Sequence, residues 1–256
     1  MKSKLKVTFL GTGSALGVPQ MGCHCSICSS KLKANKRQRT GYLIEKNGKS
    51  FILDPGPDIR AQLLDHPIKR LDGVLISHAH HDHIGGYDDL RVFSLIQEEL
   101  VPTLLHAKTE SGLLSRCHYL LKPGYTFFSL ELLNDDLGSG EFEGLHYRYI
   151  TYIQNGMNVT GFIIDDIAFV SDIQTVDEKL AQHLQGIETL IVSCVLKPYG
   201  SYKSHLNLDE IYELKIRTGA KNVIITHMGH DIDYTTLSAK LENDVILSYD
   251  GFIYEA

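Results

Sequence analysis

The segment His78–His83, which reads His-Ala-His-His-Asp-His, constrains this chain more than any other feature. Its pattern, H-x-H-x-D-H, packs three imidazoles and a carboxylate too closely to share one helical face. The segment follows the apolar run Val74-Leu75-Ile76, which is typical of a buried strand, so the polar residues lie where a strand ends and the chain turns. Neutral imidazole and carboxylate together suit zinc, manganese or iron. The segment therefore predicts a metal site, with two ions favoured over one.

Composition narrows the class of protein. The net charge is −6, from 25 basic and 31 acidic residues, so no global field draws the chain onto nucleic acid or anionic lipid. No apolar stretch approaches the roughly 20 residues that span a bilayer, which predicts no membrane contact. The five cysteines, an odd number with three crowded together, favour a reducing compartment over a disulfide framework. We therefore expect a soluble, cytoplasmic protein.

Hydrophobic periodicity predicts strands in runs with helices interspersed, an arrangement that favours layered sheets with helices outside. The dipeptide Asn47-Gly48 predicts a tight hairpin, and Asn207 with Glu210 predicts a capping box. Strands are expected at Val7–Leu10, Tyr42–Glu45, Ser50–Leu53, Leu71–Ser77, Leu145–Ile153, Gly161–Ile164, Ile167–Val170, Thr189–Val192, Asn222–Thr226 and Val245–Tyr249, and helices at Ile59–Leu64, Val176–Leu184 and Leu208–Arg217. We expect an α/β chain that forms one domain over residues 1–256.

A second cluster of metal-binding residue types lies near the N-terminus. Cys23, Cys25 and Cys28 form the pattern C-x-C-x-x-C, and thiolates this close repel each other unless a cation holds them. The pattern indicates zinc, which needs a fourth ligand from elsewhere. The adjacent His24 is geometrically awkward for that position. The alternative is three reduced cysteines without metal.

The pattern H-x-H-x-D-H after an apolar strand resembles the signature of the metallo-β-lactamase superfamily, whose hydrolases fold as a four-layer αβ/βα sandwich. This resemblance implies the same fold here. It also implies that His78 and His80 bind a first metal, and that Asp82 and His83 bind a second.

Three further residues match positions of that family. Asp172, which follows the strand expected at Ile167–Val170, matches an Asp that bridges the two metals. His227, which ends the strand expected at Asn222–Thr226, matches the last histidine ligand. Asp54 matches an acidic residue beside the histidines, and its physical role would be to orient them.

One ligand of the family pattern is missing. The family supplies a third histidine to the first metal upstream of a Gly-aromatic pair, which Gly161-Phe162 resembles. This chain has Gln154 and Asn155 in that window, and their amide oxygens are weak ligands. The sequence therefore predicts a weaker or exchangeable first metal.

The cysteine pattern narrows the resemblance to the PhnP-like cyclic phosphodiesterases of phosphonate operons, in which a Gly-x-Pro sequence precedes a cysteine cluster. That subfamily completes a structural zinc with a histidine three residues past the last catalytic histidine. The resemblance implies a zinc-binding loop at about residues 19–39, with the ligands Cys23, Cys25, Cys28 and His230.

His205 is the candidate proton donor, because it precedes a predicted helix N-terminus and its family counterpart faces the substrate phosphate. The alternative is a surface histidine in a loop. Lys197, Tyr199 and Lys203 precede it and could line a pocket for an anionic substrate. Asp82 and Asp172 complete the residues to which we assign catalytic roles.

The function expected is hydrolysis of small anionic phosphodiesters, with cyclic ribose or nucleotide phosphates favoured. The expected cofactors are one structural zinc and two divalent ions, zinc or manganese, with iron or nickel also compatible. Three alternatives remain: an RNA-processing nuclease, a thioester or lactone hydrolase, and a binding protein whose first metal site is depleted. The basic run Lys31–Arg39 favours the nuclease, and the acidic net charge opposes it. The resemblance also makes a homodimer reasonable.

Overall fold

The computed structural model describes residues 4–122, 125–196 and 203–256. The strands are β1 (Lys6–Gly11), β2 (Gly41–Lys46), β3 (Lys49–Leu53), β4 (Gly73–Ile76), β5 (Val101–His106), β6 (Leu121–Lys122), β7 (Tyr125–Thr126), β8 (Phe128–Leu133), β9 (Leu137–Phe142), β10 (Leu145–Gln154), β11 (Met157–Ile164), β12 (Ile167–Val170), β13 (Thr189–Ser193), β14 (Asn222–Thr226), β15 (Val245–Leu247) and β16 (Ile253–Glu255). The α-helices are α1 (Ile59–Asp65), α2 (His81–Ile84), α3 (Arg91–Gln97), α4 (Ala107–Cys117), α5 (Glu178–His183), α6 (Leu208–Thr218) and α7 (Tyr234–Ser238).

Two mixed sheets pack face to face at the centre of the molecule. One has the strand order β16-β1-β2-β3-β4-β5-β8 and the other β15-β14-β13-β12-β11-β10-β9. Aromatic rings from both sheets meet between them, as where Tyr42 and Phe169 pack edge to face with ring centroids 5.4 Å apart. Two further apolar clusters lie on the outer faces of the sheets, where helices such as α1 and α6 cover them. The expected four-layer α/β sandwich is confirmed.

The parallel parts of both sheets determine where polar side chains collect. β3 pairs in parallel with β4, and β12 pairs in parallel with β13, which pairs in parallel with β14. The carboxyl ends of parallel strands lie at one edge of a sheet. The residues that follow these strands, among them Asp54, His78, Asp172 and His227, are therefore gathered at the sheet edges. The Thr160 amide of β11 donates to the Ser77 carbonyl at 2.9 Å and joins the two edges.

Most of the expected elements are present, with differences at their ends. Asn47 and Gly48 form the β2–β3 turn with φ of 54° and 78°, and the capping box of α6 is confirmed. The strand expected at Leu71–Ser77 is shorter, because the Leu71 amide bonds the Gln97 side chain instead of a neighbouring strand. In the described residues, no helix is long and apolar enough to cross a membrane.

Candidate metal centre

Asp54 organises the edge of the first sheet from a fully buried position. It turns out of β3 with φ of 58°, a left-handed conformation that Asp tolerates better than most residues. Its carboxylate accepts hydrogen bonds from the Ser77 amide at 2.8 Å, from the Ser77 hydroxyl at 2.6 Å and from His83 Nδ1 at 2.8 Å. Gly56 lets this turn approach α2, because a Cβ there would lie 2.2 Å from the Asp82 carbonyl oxygen. These hydrogen bonds support the prediction that Asp54 orients the ligand segment.

The Asp54 carboxylate also determines which ring nitrogens are free. His83 Nδ1–H donates to Asp54, so a neutral His83 presents the lone pair of its Nε2 to the other cluster residues. His78 Nδ1 lies 2.9 Å from the Ser77 hydroxyl, whose own proton goes to Asp54, so His78 donates from Nδ1 and keeps the lone pair of Nε2, which faces His80. Outer hydrogen bonds of this kind fix the tautomer of metal-binding histidines.

We call the six predicted ligands of the active site the histidine–aspartate cluster: His78, His80, Asp82, His83, Asp172 and His227. In one half of it, two carboxylate oxygens each face two imidazole nitrogens. Asp82 Oδ2 lies 3.2 Å from His83 Nε2 and 3.3 Å from His227 Nε2. Asp172 Oδ1 lies 3.4 Å from both of these nitrogens. Ligands at 2.0–2.2 Å around a tetrahedral ion would be about 3.4 Å apart, so these spacings fit one ion.

The other half of the cluster is formed by two histidines of the signature. His78 Nε2 lies 2.8 Å from His80 Nδ1 and 3.8 Å from Asp172 Oδ2. The two oxygens of Asp172 thus face different imidazole groups, as a carboxylate that bridges two ions would. His78, His83 and Asp172 offer ligand atoms that lie within 4.8 Å of one another, and so do Asp82, His83 and His227.

Unpaired polar atoms show that a cation fits this cluster. His83 Nε2 and Asp172 Oδ1 are buried and have no hydrogen-bond partner among the described residues. Buried polar atoms are rarely left in this state, and a divalent ion between them would satisfy both. Imidazole and carboxylate donors suit zinc and manganese, among other divalent ions. The assignment of the six residues as ligands remains a prediction, which their convergence supports.

The pKa values of the cluster residues are shifted in the directions expected where buried carboxylates face imidazoles. Burial lowers the pKa of His78 well below its ordinary value. Burial opposes protonation of His83 and His227 too, but the carboxylates of Asp82 and Asp172 outweigh it and raise the pKa of both. In return, these imidazoles hold the pKa of Asp82 and Asp172 far below the usual range, although burial acts in the opposite direction. A bound divalent ion would displace these protons, so binding would release them.

The two amide candidates have different positions. Asn155 is exposed at the tip of the β10–β11 hairpin, where it takes φ of 51° in a turn with Gly156. This placement removes it from the buried ligands and corrects the expectation that it could bind metal. Gln154 is buried, and its Nε2 donates to the Ser204 carbonyl at 2.8 Å.

His205 lies against His227 of the cluster and is buried, not a surface residue. Its ring centroid is 4.7 Å from that of His227, and its Nδ1 shares a hydrogen bond of 3.0 Å with the Ser193 hydroxyl. Burial lowers the pKa of His205 to about 4. A neutral imidazole that can face a substrate therefore lies beside the metal position. Of the residues expected to line the pocket, Lys197 and Tyr199 lie outside the described residues.

The second predicted site, which we call the cysteine cluster, consists of Cys23, Cys25, Cys28 and His230. Its three sulfurs lie 3.3, 3.7 and 3.5 Å from His230 Nδ1. Tetrahedral zinc with its usual bond lengths would place sulfur and nitrogen about 3.6 Å apart, so this spacing fits zinc. The Cys28 amide donates to Cys25 Sγ and lowers the pKa of Cys25 to about 6, which favours the thiolate that binds metal. Burial raises the pKa of Cys28 to about 11.

Arg37 joins the zinc-binding loop to the segment between the two candidate sites. Its guanidinium is buried and donates to the Gly229 and Ile232 carbonyls at 3.1 and 2.9 Å. Gly229 lies between His227 of one cluster and His230 of the other. Burial lowers the pKa of Arg37 to about 10, against the opposing charge of nearby carboxylates. Nothing in the sequence marked Arg37 as different from its basic neighbours.

The basic run Lys31–Arg39 makes several contacts within the chain. Besides the buried Arg37, Lys36 donates to the Cys28 carbonyl at 2.9 Å, and Arg39 pairs with Asp58 at 2.8 Å. Three of the five positive charges thus have partners within the chain. Other residues that sequence analysis missed are Ser77 and Ser193, which hold ring nitrogens of His78 and His205; their only signal was their place at a strand end.

A match to a family model assigns the chain to a protein superfamily. Residues 49–228 match the model described as the beta-lactamase superfamily domain, and this stretch contains every member of the histidine–aspartate cluster. The chain belongs to the beta-lactamase superfamily. It has the metallo-β-lactamase fold, as the resemblance of the signature implies.

The proteins similar to this chain are named for different activities. An octanoyltransferase of Porphyromonas gingivalis is 28% identical over 231 residues, which cover 88% of this chain but only 46% of that protein. The chain thus spans about half the length of that relative. A crystal structure of a new diphosphatase from the PhnP family superposes with a TM-score of 0.91 at 26% identity and covers 100% of this chain and 98% of the other. The zinc-bound PqqB of Methylobacterium extorquens, at 18% identity and a TM-score of 0.78 over 98% of this chain and 100% of that one, shares the fold.

Proposed function

We propose that the chain hydrolyses small anionic phosphodiesters, with cyclic ribose or nucleotide phosphates as the favoured substrates. The observation that carries the proposal is the position of Asp172. Its Oδ1 faces His83 and His227, while its Oδ2 faces His78, as expected of a carboxylate shared by two ions. Paired ions a few ångströms apart suit phosphoryl transfer, because they stabilise both the attacking and the leaving oxygen. Similarity to a PhnP-family diphosphatase supports a phosphorus-centred substrate.

The chain's own residues would each contribute a distinct step. Two divalent ions, when bound, supply an acidified water and neutralise charge on the phosphoryl oxygens. Asp54 holds His83 in the tautomer that leaves Nε2 free, and Ser77 does the same for His78. His205 lies beside His227, where its ring could donate a proton or a hydrogen bond to the leaving oxygen. An anionic substrate would raise its depressed pKa toward the neutral range.

The identity of the ions follows from the donor atoms. The cysteine cluster offers three sulfurs and one nitrogen, a set that selects zinc. The histidine–aspartate cluster offers only nitrogen and oxygen, a set that suits zinc or manganese and also accepts iron or nickel. We assign one zinc to the cysteine cluster and two divalent ions to the histidine–aspartate cluster.

A substrate panel tests the proposal. Purified protein is assayed with zinc or manganese against bis(p-nitrophenyl) phosphate, 2′,3′-cyclic nucleotides, precursor transfer RNA and a thioester. Hydrolysis of the first two, abolished by a chelator and restored by metal, supports a small-substrate phosphodiesterase. Cleavage of the RNA alone, with steep salt dependence, would replace it with a nuclease. Turnover of the thioester alone would assign the site to acyl chemistry, and no turnover at all would favour a binding protein.

A further inference from the structure

His227 differs from His78 and His83 in how its ring is held. Nδ1 of His83 donates to Asp54, and Nδ1 of His78 lies 2.9 Å from the Ser77 hydroxyl. Nδ1 of His227 is buried and has no hydrogen-bond partner among the described residues. A metal-binding histidine is ordinarily oriented by a hydrogen bond to its second ring nitrogen. The orientation of the His227 ring must therefore come from its backbone.

The backbone of His227 is itself in an unfavourable conformation. Its φ is 51°, in the left-handed region that a residue with a side chain rarely adopts. Such a conformation persists only where the surrounding structure holds it. In this conformation the ring leaves the end of β14 with Nε2 3.3 Å from Asp82 Oδ2 and 3.4 Å from Asp172 Oδ1. A relaxed backbone at this position would turn the ring away from both oxygens.

Arg37 holds the chain just past this last ligand of the cluster. Its Nη1 donates to the Gly229 carbonyl at 3.1 Å, and its Nη2 donates to the Ile232 carbonyl at 2.9 Å. The same guanidinium donates from Nε to the Ala34 carbonyl and from Nη2 to Asn35 Oδ1, both at 3.1 Å. Because a guanidinium is planar and rigid, these bonds fix the zinc-binding loop and the segment 229–232 relative to each other.

Arg37 is anchored by bonds that do not involve the cysteine cluster. Its amide donates to the Val18 carbonyl at 2.7 Å, and its carbonyl accepts from the Val18 amide at 2.8 Å. The amide of the next residue, Gln38, donates to the carboxylate of Asp250 at 2.7 Å. The hold on segment 229–232 therefore does not require zinc.

We propose that Arg37 is a positioning residue of the metal centre, which keeps His227 in its left-handed conformation by holding the two carbonyls. Loss of this hold would let His227 relax and would weaken the metal position to which it belongs. Zinc in the cysteine cluster, bound through His230, is the lesser support. The inference rests on the proposed function in taking the histidine–aspartate cluster as a metal site, but its readout is metal binding and not turnover.

The proposal predicts that metal affinity depends more on Arg37 than on the cysteine cluster. Protein that carries zinc in its cysteine cluster is stripped of other ions and titrated calorimetrically with Mn²⁺, which thiolates bind poorly. The Mn²⁺ bound more tightly is expected at the position that contains His227. Arg37→Met should bind this ion about tenfold more weakly, the loss usual for an outer-shell partner, and should keep one zinc per chain. His230→Ala should lose the zinc and bind the same ion within about threefold of the parent.

Two further variants separate positioning from a general loss of stability. Arg37→Lys keeps the positive charge but not the planar fork, so it should fold and still bind the tighter Mn²⁺ at least threefold more weakly than the parent. Lys33→Met is the matched control, because it removes an exposed positive charge from the same basic run. It should match the parent in Mn²⁺ affinity and zinc content. If Arg37→Met does not fold, the Lys variant decides.

A lower unfolding temperature with unchanged Mn²⁺ affinity in the Arg37 variants would show that Arg37 only stabilises the fold, and this would overturn the proposal. A larger loss of affinity in His230→Ala would overturn it too, because zinc would then be the main support. A parent that binds Mn²⁺ but hydrolyses no phosphodiester would refute the proposed function and leave this test intact. A parent that binds no Mn²⁺ outside the cysteine cluster would refute the present inference.

Discussion

The cysteine cluster and the histidine–aspartate cluster lie on either side of residues 227–230, and they use their donor atoms differently. The cysteine cluster gathers three sulfurs and one nitrogen, a complete tetrahedral set that leaves no position for a substrate. The histidine–aspartate cluster divides its donors between two positions and leaves His80 only half-buried. A closed ligand set holds chain segments together, whereas an open set can bind a reactant. Since His230 lies three residues after His227, the closed cluster would anchor one ligand of the open one.

The largest expected effect is at the carboxylate that both metal positions share. Asp172→Asn should lower turnover by on the order of 1,000-fold or more, because loss of the shared ligand removes both charge stabilisation and the acidified water. Metal analysis should show loss of ions from the histidine–aspartate cluster with one zinc per chain retained. The matched control is Asp165→Asn in the exposed β11–β12 turn, which should keep activity and metal content. Loss of all metal in Asp172→Asn would show that the two clusters are not independent.

Removing the candidate proton donor should affect chemistry without affecting metal. His205→Ala should lower turnover by about 100-fold, within the usual range for a general acid. Metal content should equal that of the parent, because the alternative role of His205, as a ligand with Asp172 and His227, predicts metal loss instead. His146→Ala, at an exposed position on β10, serves as the control. Metal loss in the first variant would make His205 part of the ligand set.

Replacing Asp54, the carboxylate expected to orient the ligands, should lower turnover less than replacing Asp172 or His205. Asp54→Asn keeps the size of the side chain but weakens the acceptor for His83 and Ser77. We expect metal affinity of the histidine–aspartate cluster to fall by about 10- to 100-fold, the usual loss for an outer-shell partner. Turnover should recover at high metal concentration. Asp65→Asn, at the exposed end of α1, should behave as the parent does.

Opening the closed cluster should affect stability more than chemistry. His230→Ala should lose the zinc and reduce the free energy of unfolding by roughly 3 kcal/mol, as expected when a structural metal is lost. Turnover below the unfolding temperature should fall only a few-fold, since Arg37 still holds the Gly229 and Ile232 carbonyls. His24→Ala tests the other candidate ligand and should change neither zinc content nor stability. Equal effects of the two variants would contradict the assignment of His230.

Much of this molecule could be predicted from sequence where the signal is local. The segment His78–His83 indicates a metal site because spacing and residue type are sufficient, and the resemblance that it carries implied the superfamily and the sandwich fold. The capping box of α6 was likewise readable, because an N-cap depends on residues three positions apart. Helix α3 and strand β5 were not predicted. Strand β5 is buried along nearly its whole length between β4 and β8 and so lacks a period-2 alternation, whereas α3 exposes Val92, Leu95 and Ile96 and so lacks an inward apolar face.

What the sequence alone determined is the inventory of chemical groups: which stretches carry imidazole, carboxylate and thiolate, and at what local spacing. Only the tertiary structure decided which of these groups share a point in space. In the folded chain, Asn155 lies in an exposed turn and Arg37 is buried, where it donates to the Gly229 carbonyl. The side-chain amide of Gln154 donates to the Ser204 carbonyl. The physical reason is that strand order and register, set by burial of the apolar layers, bring together residues more than a hundred positions apart. A local sequence pattern carries no information about contacts between residues so far apart in the sequence.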